Sequence, residues 1–328
     1  GRRPILLFSL FGFCINYILT GLAPSILWLF IGRLVAGVTG ASHTVAAAYI
    51  ADISTPQNKA QNFGLLGAAF GLGFILGPVL GGVLGQYGSR IPFFAAAGLC
   101  LLNVIYGYFV IPESLKPELR RPFSWKNANP IGAFKHIKSY PNILPLIVCI
   151  FLINIAANSV QSTWSYYTME KFSWDERMVG LSLGFVGTLL MIVQAGLIRI
   201  AIPKLGLQKA ILTGLILYVI AYSLFGFASA SWMMYAISIF FVSAGIAGPA
   251  LQSYISNHIP QNEQGQIQGG ITSVISLTSI IGPLLMTSLF AYFSRKDVHP
   301  YFPGAPFILS AALAITALII ACVYFRKK

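Results

Sequence analysis

The chain has 328 residues, of which 56% are hydrophobic and 9% are charged, and its formal net charge is +13. Soluble domains carry about 25% charged residues, so this composition excludes an ordinary soluble protein and predicts a membrane protein. A positive net charge is also typical of nucleic-acid-binding proteins, and the positions of the charges along the chain decide between the two interpretations.

Ten apolar segments are each long enough to cross a bilayer, which takes about 20 residues in a helix. In chain order they are 4–21, 27–51, 60–85, 92–111, 143–166, 178–200, 209–228, 233–256, 266–291 and 304–325. The sequence lacks the alternating ten-residue strands from which membrane barrels are built. The pattern therefore predicts an all-α, polytopic membrane protein.

The Lys and Arg residues outside these segments lie mostly on one side of the membrane. If Arg2 and Arg3 are cytoplasmic, fifteen basic residues lie on that side and five on the other, while Arg33 lies inside a segment. An excess of Lys and Arg marks cytoplasmic loops. The charge therefore predicts that both chain ends face the cytoplasm, and it predicts no nucleic-acid partner.

The third segment contains the sequence GLLGAAFGLGFILGPVLGGVLG at residues 64–85. A row of small residues allows another helix to pack closely, whereas a Gly-Pro pair provides a bend. Both interpretations stay open, and the spacing Gly-Pro-x-x-Gly-Gly favours the bend. The residues concerned are Gly73, Gly77, Pro78, Gly81 and Gly82.

This segment has a counterpart about 205 residues later, because Gly77-Pro78 matches Gly282-Pro283. Both copies start on the cytoplasmic side, so the repeat is parallel. The match includes the segment just upstream, where Tyr49-Ile50 corresponds to Tyr254-Ile255. Three segments precede this matching pair in the second copy and one precedes it in the first. The repeat therefore predicts a protein of twelve helices, of which this chain holds the third to the twelfth.

The repeat divides the chain into three regions. Residues 1–111 hold four helices, residues 112–142 form a basic cytoplasmic loop rich in proline, and residues 143–328 hold six helices. The loop is expected either to contact anionic lipid headgroups or to be solvated.

Several motifs resemble one family. GPVLGG resembles the signature of drug–proton antiporters of the major facilitator superfamily, Gly1-Arg2-Arg3-Pro4 resembles the end of its loop motif, and LFIGRLVAGVTGAS resembles its fourth-helix motif. With IADIS, FSWDERMVGLSLG and GQIQG, the chain is similar to the tetracycline exporters. This resemblance implies proton-coupled efflux of a drug, or of a drug–cation complex, across the bacterial inner membrane without a cofactor.

Two residues are candidates for proton coupling. Arg33 lies inside an apolar helix, where a charge is costly, and the resemblance implies a role in proton transfer or in holding the transport-competent structure. The alternative is that Arg33 extends to the membrane surface. His43 titrates near neutral pH and is a candidate proton carrier, or else a neutral hydrogen-bonded residue. The carboxylate that such an antiporter needs is expected on a helix that precedes residue 1.

A polar stripe in the segment 143–166 is the candidate substrate cavity. Amides are costly in lipid, so the stripe should face the interior, where it lines a cavity or joins helices. The candidate residues are Asn154, Asn158, Gln161 and Trp164, together with Gln252. Leu190 and Tyr218 stand where the tetracycline exporters have a histidine and an aspartate. The expected substrate is therefore open between a tetracycline-like drug and several unrelated drugs.

Other functions remain open. A nutrient symporter or uniporter of the same fold would be expected to carry more buried charge. A non-transporting receptor or scaffold would retain the polar stripe without using it. An enzyme is not expected, because the sequence contains neither metal-ligand spacing nor a nucleophile near a base. It also contains no P-loop for ATP.

Overall fold

The computed structural model describes residues 1–115, 118, 120, 140–295, 297 and 299–326, apart from the side chains at positions 74, 75, 78, 79, 82, 176 and 195. This part of the chain is helical and contains no strand. Most of the predicted central loop at 112–142 lies outside the described residues. The all-α prediction is confirmed.

Twelve α-helical segments occur in the described residues. They are α1 (Arg2–Leu22), α2 (Ile26–Thr39), α3 (Ser42–Ile53), α4 (Lys59–Gly85), α5 (Ile91–Val110), α6 (Leu144–Phe172), α7 (Glu176–Ile192), α8 (Ile198–Phe227), α9 (Ser231–Ser243), α10 (Ala247–Asn257), α11 (Gln264–Phe293) and α12 (Ala305–Arg326). Eight stretches of this part are long and apolar enough to cross a membrane. Large apolar side chains such as Phe109 and Trp232 are exposed on their outer faces, as expected for surfaces that contact lipid.

Two predicted continuous spans are broken. The span predicted at 27–51 consists of α2 and α3, which are separated at Gly40 and Ala41. The span predicted at 233–256 passes from α9 to α10 through a 3₁₀ turn at Ala244–Ile246. Pro249 has no backbone donor for the carbonyl four residues earlier, and this favours a tighter turn at that point. Prediction from apolar length alone missed both breaks.

The stretch between α7 and α8 is a π-helical turn at Val193–Leu197. Such a turn accommodates one additional residue in a helix and is often found at functional sites. Further along, the long helix α8 is interrupted at Gly206, whose φ of 77° is a conformation that glycine tolerates best. The membrane-crossing part of α8 therefore follows this interruption, in agreement with the predicted start at 209.

The chain forms two compact units. The first contains residues 1–54, 73–124 and 260–268, and the second contains residues 55–72, 125–259 and 269–328. The beginning of α4 therefore belongs to the second unit and its remainder to the first, while the opposite holds for α11.

An aromatic cluster forms the core of the second unit. Tyr167, Tyr222, Phe225 and Phe307 are fully buried in it. Phe225 meets Phe307 with ring centroids 5.5 Å apart and Trp164 edge-on at 5.4 Å. Each such pair contributes about 0.5–1.5 kcal/mol beyond its burial. This core fixes α6, α8 and α12 as a rigid support for the polar residues described next.

Candidate functional site

A buried ionic cluster lies at the start of α1 in the first unit. Arg2 Nε lies 3.0 Å from Oδ2 of Asp52, whose side chain is fully buried at the end of α3. The Ser114 hydroxyl donates to the same carboxylate oxygen at 3.0 Å. Arg2 also donates to the backbone carbonyl of Gln261 at 3.4 Å, before α11. The cluster thus joins the ends of four helices.

Glu113 extends this cluster after the end of α5. Its Oε1 accepts hydrogen bonds from the backbone N–H groups of Arg2 at 2.7 Å and Leu115 at 3.2 Å. Burial is the largest single influence and raises the pKa of Glu113. The two backbone donors, together with the positive charges of Gly1 and Arg120, outweigh it, so that the pKa lies below its ordinary value.

Sequence analysis did not select Asp52 or Glu113. Each is a lone acidic residue at the end of an apolar segment, and the charge pattern predicts that Arg2 and Arg3 lie on the same side of the membrane. Opposite charges at helix ends on one membrane side were the available signal. The pairing itself depends on α1, α3 and α5 meeting in space.

The structure places Arg33 on an exposed face of α2. Among the described residues, no carboxylate forms an ion pair with it. A methyl group built on Gly37, one turn later, would meet nothing within 4 Å. His43 is half-buried in the first turn of α3, directly after the helix break. The structure therefore leaves space around Arg33 and does not bring it together with His43. Their roles in proton coupling stay predictions.

The glycines of α4 fall into two groups. Methyl groups built on Gly64, Gly67 and Gly71 would lie within 3.2 Å of atoms in the stretch from α7 to the start of α8. Methyl groups built on Gly73 or Gly77 would meet nothing within 4 Å, and the same holds for Gly81 and Gly85. The side chains of Pro78 and Gly82 lie outside the described residues. The glycines that allow close packing are therefore those before the predicted antiporter motif.

The amides of α6 are mostly satisfied by their own helix. Asn154 Nδ2 donates to the carbonyl of Ile150 at 2.8 Å, and Asn158 Nδ2 donates to that of Asn154 at 2.8 Å. Asn158 also donates to the carbonyl of Thr278 on α11 at 3.4 Å. A methyl group on Gly282 would lie 2.5 Å from Asn158 Nδ2. Asn158 therefore joins two helices, which is the packing role left open by the sequence.

The other candidate residues of the cavity differ in exposure. Gln161 is exposed, Gln252 is half-buried, and Trp164 is buried with its Nε1 donating to the Ser182 hydroxyl at 2.9 Å. Tyr218 stacks on Tyr222 with ring centroids 5.7 Å apart. Gln161 is thus the most exposed of the candidates, while Asn154 and Gln252 are both half-buried. The substrate roles of the whole set stay predictions.

Comparison with known proteins identifies the family. The family model of the Major Facilitator Superfamily matches residues 1–277 and 202–328. The chain is 38% identical to the class C tetracycline resistance protein of Escherichia coli over 97% of this chain and 79% of that protein. It is 34% identical to the class E protein of Escherichia coli over 98% and 78% of the two chains.

Solved structures agree in fold. The crystal structure of the human organic anion transporter MFSD10 (TETRAN) superposes with a TM-score of 0.87 at 22% identity. The match covers 98% of this chain and 77% of that one. At this identity the likeness concerns the fold alone. The sequence and structure together establish that the chain belongs to the Major Facilitator Superfamily, in the group of the tetracycline resistance proteins.

Proposed function

We propose that this protein exports a small-molecule drug through the bacterial inner membrane in exchange for protons. The observation that carries the proposal is the 38% identity to a tetracycline resistance protein over 97% of the chain. Transport by alternating access requires two helical repeats that rock about a central site. The same proposal includes the division into two halves, residues 1–111 and 143–328. It also includes the cytoplasmic position of both chain ends.

The drug would bind in the second unit beside α6. Gln161 is exposed and Gln252 is half-buried, whereas Trp164 is buried edge-on against Phe225. Amide and aromatic groups in an otherwise apolar wall suit a polar aromatic compound. Leu190 and Tyr218 support a specificity that differs from that of the tetracycline exporters, because neither side chain ionises near neutral pH.

Protons would provide the energy, without a bound cofactor. Arg33 is a charge in an apolar helix, and among the described residues no carboxylate pairs with it. An intramembrane charge of this kind is typically part of an ion or substrate pathway. Arg33 would support a carboxylate elsewhere in the full-length protein at which the proton and the drug compete.

Transport into everted membrane vesicles tests this function. A proton gradient is imposed on vesicles that contain the full-length protein, and uptake of labelled tetracycline is compared with that of unrelated cationic drugs. Arg33→Ala should abolish gradient-driven uptake. The matched control is Arg90→Ala, which removes an exposed arginine whose guanidinium donates to the Ala23 carbonyl outside the membrane core.

The outcomes separate the alternatives. Uptake of tetracycline alone would show that Leu190 and Tyr218 are tolerated in a tetracycline pump. Uptake of other drugs would assign a changed specificity to these positions. Absence of any uptake by correctly inserted protein would contradict drug export and favour a nutrient carrier or a non-transporting protein.

A further inference from the structure

The beginning of α4 packs against the π-helical turn in an unusually close seam. We define the seam by Gly64, Gly67 and Gly71 on α4 and by residues 187–198 opposite them. A methyl group on Gly64 would lie 3.0 Å from the backbone oxygen of Gln194, and one on Gly71 would lie 3.2 Å from the backbone nitrogen of Met191. Backbone faces backbone here, which only glycine allows. All these residues belong to the second unit.

Gln194 is a buried polar residue of this seam, and the residue is only 8% exposed. A methyl group on Gly67 would lie 2.6 Å from its Cδ and 2.8 Å from its Oε1. Among the described residues, no donor reaches this Oε1. The group that faces the oxygen is the Cα–H of Gly67, which is at best a weak donor. A strong acceptor is therefore buried without an adequate partner.

The backbone around Gln194 is irregular on two sides. Gln194 lies within the π-helical turn at Val193–Leu197, where the normal pattern of helical hydrogen bonds changes. Its Nε2 lies 3.3 Å from the position of a methyl group on Gly245, in the 3₁₀ turn between α9 and α10. Gln194 itself lies in one non-α turn. Its side-chain amide thus faces a glycine-rich helix and a second non-α turn. Such turns adjust their hydrogen bonds more readily than a regular helix does.

Two opposing effects act on the seam. The glycines favour the closed seam, because they allow close packing over about two turns of α4. The unpaired Oε1 disfavours the closed seam, because this oxygen can accept a hydrogen bond from water only when the seam is open. The result is a contact that is close but easily opened.

We propose that Gln194 is a positioning residue that keeps the seam between α4 and the π-helical turn near the point of opening, and so sets the rate of conformational exchange. This inference rests on transport by alternating access, as proposed above. Gln194 acts through helix packing and does not bind the drug, because the seam leaves no space at Oε1. It therefore differs in role from Gln161 and Gln252.

Distance measurements on the full-length protein test the inference. Spin labels are placed at Gln57→Cys and Lys204→Cys, two exposed positions of the second unit, after replacement of the four native cysteines. Double electron–electron resonance without drug or gradient then gives the ratio of the closed to the open seam. The same variants are assayed for the Vmax and KM of transport.

Two substitutions should shift this ratio in opposite directions. Gln194→Met keeps the length of the side chain and removes the unpaired acceptor, so we expect the ratio of closed to open seam to rise about tenfold, a change within the cost of an unpaired buried acceptor. Gly67→Ala places a methyl group against Gln194 and should favour the open seam by about tenfold or more. Both should lower Vmax at unchanged KM.

Two further variants serve as controls. Gly85→Ala adds the same methyl group to α4 at a position outside the predicted antiporter motif, where no atom of the described residues lies within 4 Å. It should leave the ratio unchanged. The double variant Gly67→Ala with Gln194→Ala provides space for the methyl group and should return the ratio toward that of the unmodified protein.

Several results would overturn the inference. It fails if Gln194→Met leaves the ratio unchanged or opens the seam, and it fails if Gln194→Met raises KM alone, because that result would place Gln194 in the drug site. The distance ratio is measured without substrate. A protein that exports no drug therefore contradicts the proposed function and still gives an interpretable answer here.

Discussion

The two repeat-related helices α4 and α11 carry the same Gly-Pro pair in different surroundings. At Gly282 of α11, an added methyl group would lie 2.5 Å from Asn158. At Gly77 of α4, it would meet no atom of the described residues within 4 Å. Within this part of the chain, the same dipeptide therefore allows close packing in one helix and leaves an open face in the other. The difference shows that the role of a glycine depends on the residue opposite it.

The beginnings of the two helices differ as well. A methyl group on Gly265, near the start of α11, would lie 2.8 Å from the guanidinium of Arg2, which pairs with Asp52. The beginning of α4 meets the uncharged Gln194 instead. One helix start is therefore held by a buried ionic cluster and the other by an amide in a glycine seam. Charged contacts of this kind should be the more sensitive to substitution.

The largest expected effect concerns the ionic cluster. Asp52→Ala leaves the guanidinium of Arg2 without its carboxylate, and loss of one partner of a buried pair costs about 3–5 kcal/mol. Thermal unfolding of purified protein measures the loss. The control is Asp297→Ala, which removes a well-exposed partner of Arg295 and should cost less than about 1 kcal/mol. Equal effects of the two variants would contradict the importance of burial.

The next largest effect concerns Gly282. Gly282→Ala forces its methyl group against Asn158, and overpacking of this kind costs about 1–3 kcal/mol. The double variant with Asn158→Ala should recover most of the lost stability, because the smaller side chain provides space. Thermal unfolding of both variants measures this recovery. If the double variant is as unstable as the sum of the single changes, Asn158 is not the obstacle.

A smaller effect of opposite sign is expected at Gly77. Nothing opposes a methyl group there, and alanine in a helix is about 0.5–1 kcal/mol more favourable than glycine. Gly77→Ala should therefore be neutral or slightly stabilising in the same unfolding assay. Loss of transport at unchanged stability would support a bend at Gly77-Pro78. Loss of stability would show that another helix covers this face.

The smallest effect is a dependence of stability on pH through Glu113. Because its pKa is lowered in the folded protein, its contribution is fully present above the ordinary value near 4.5. This contribution is lost as the pH falls through the lower folded value. Unfolding temperatures measured from pH 6 to pH 3 should fall less for Glu113→Gln than for the unmodified protein. An unchanged pH profile would show that Glu113 contributes nothing.

The sequence alone determined that the chain is helical, that it crosses a membrane and that it contains a parallel repeat. These properties are local or depend on pattern. About 20 apolar residues are needed for each crossing, and Gly77-Pro78 and Gly282-Pro283 can be compared without coordinates. The family resemblance rests on short motifs of the same kind. It was confirmed over nearly the whole chain.

The tertiary structure alone decided what each of these residues contacts. Gly282 and Gly77 are equivalent in sequence, and only the packing of α6 on α11 covers one of them. Asp52 pairs with Arg2 across 50 residues of sequence, and Gln194 meets Gly67 across more than 120. Such contacts depend on which helices meet and at what angle. That geometry is set by the packing of all the helices together, and a local pattern does not contain it.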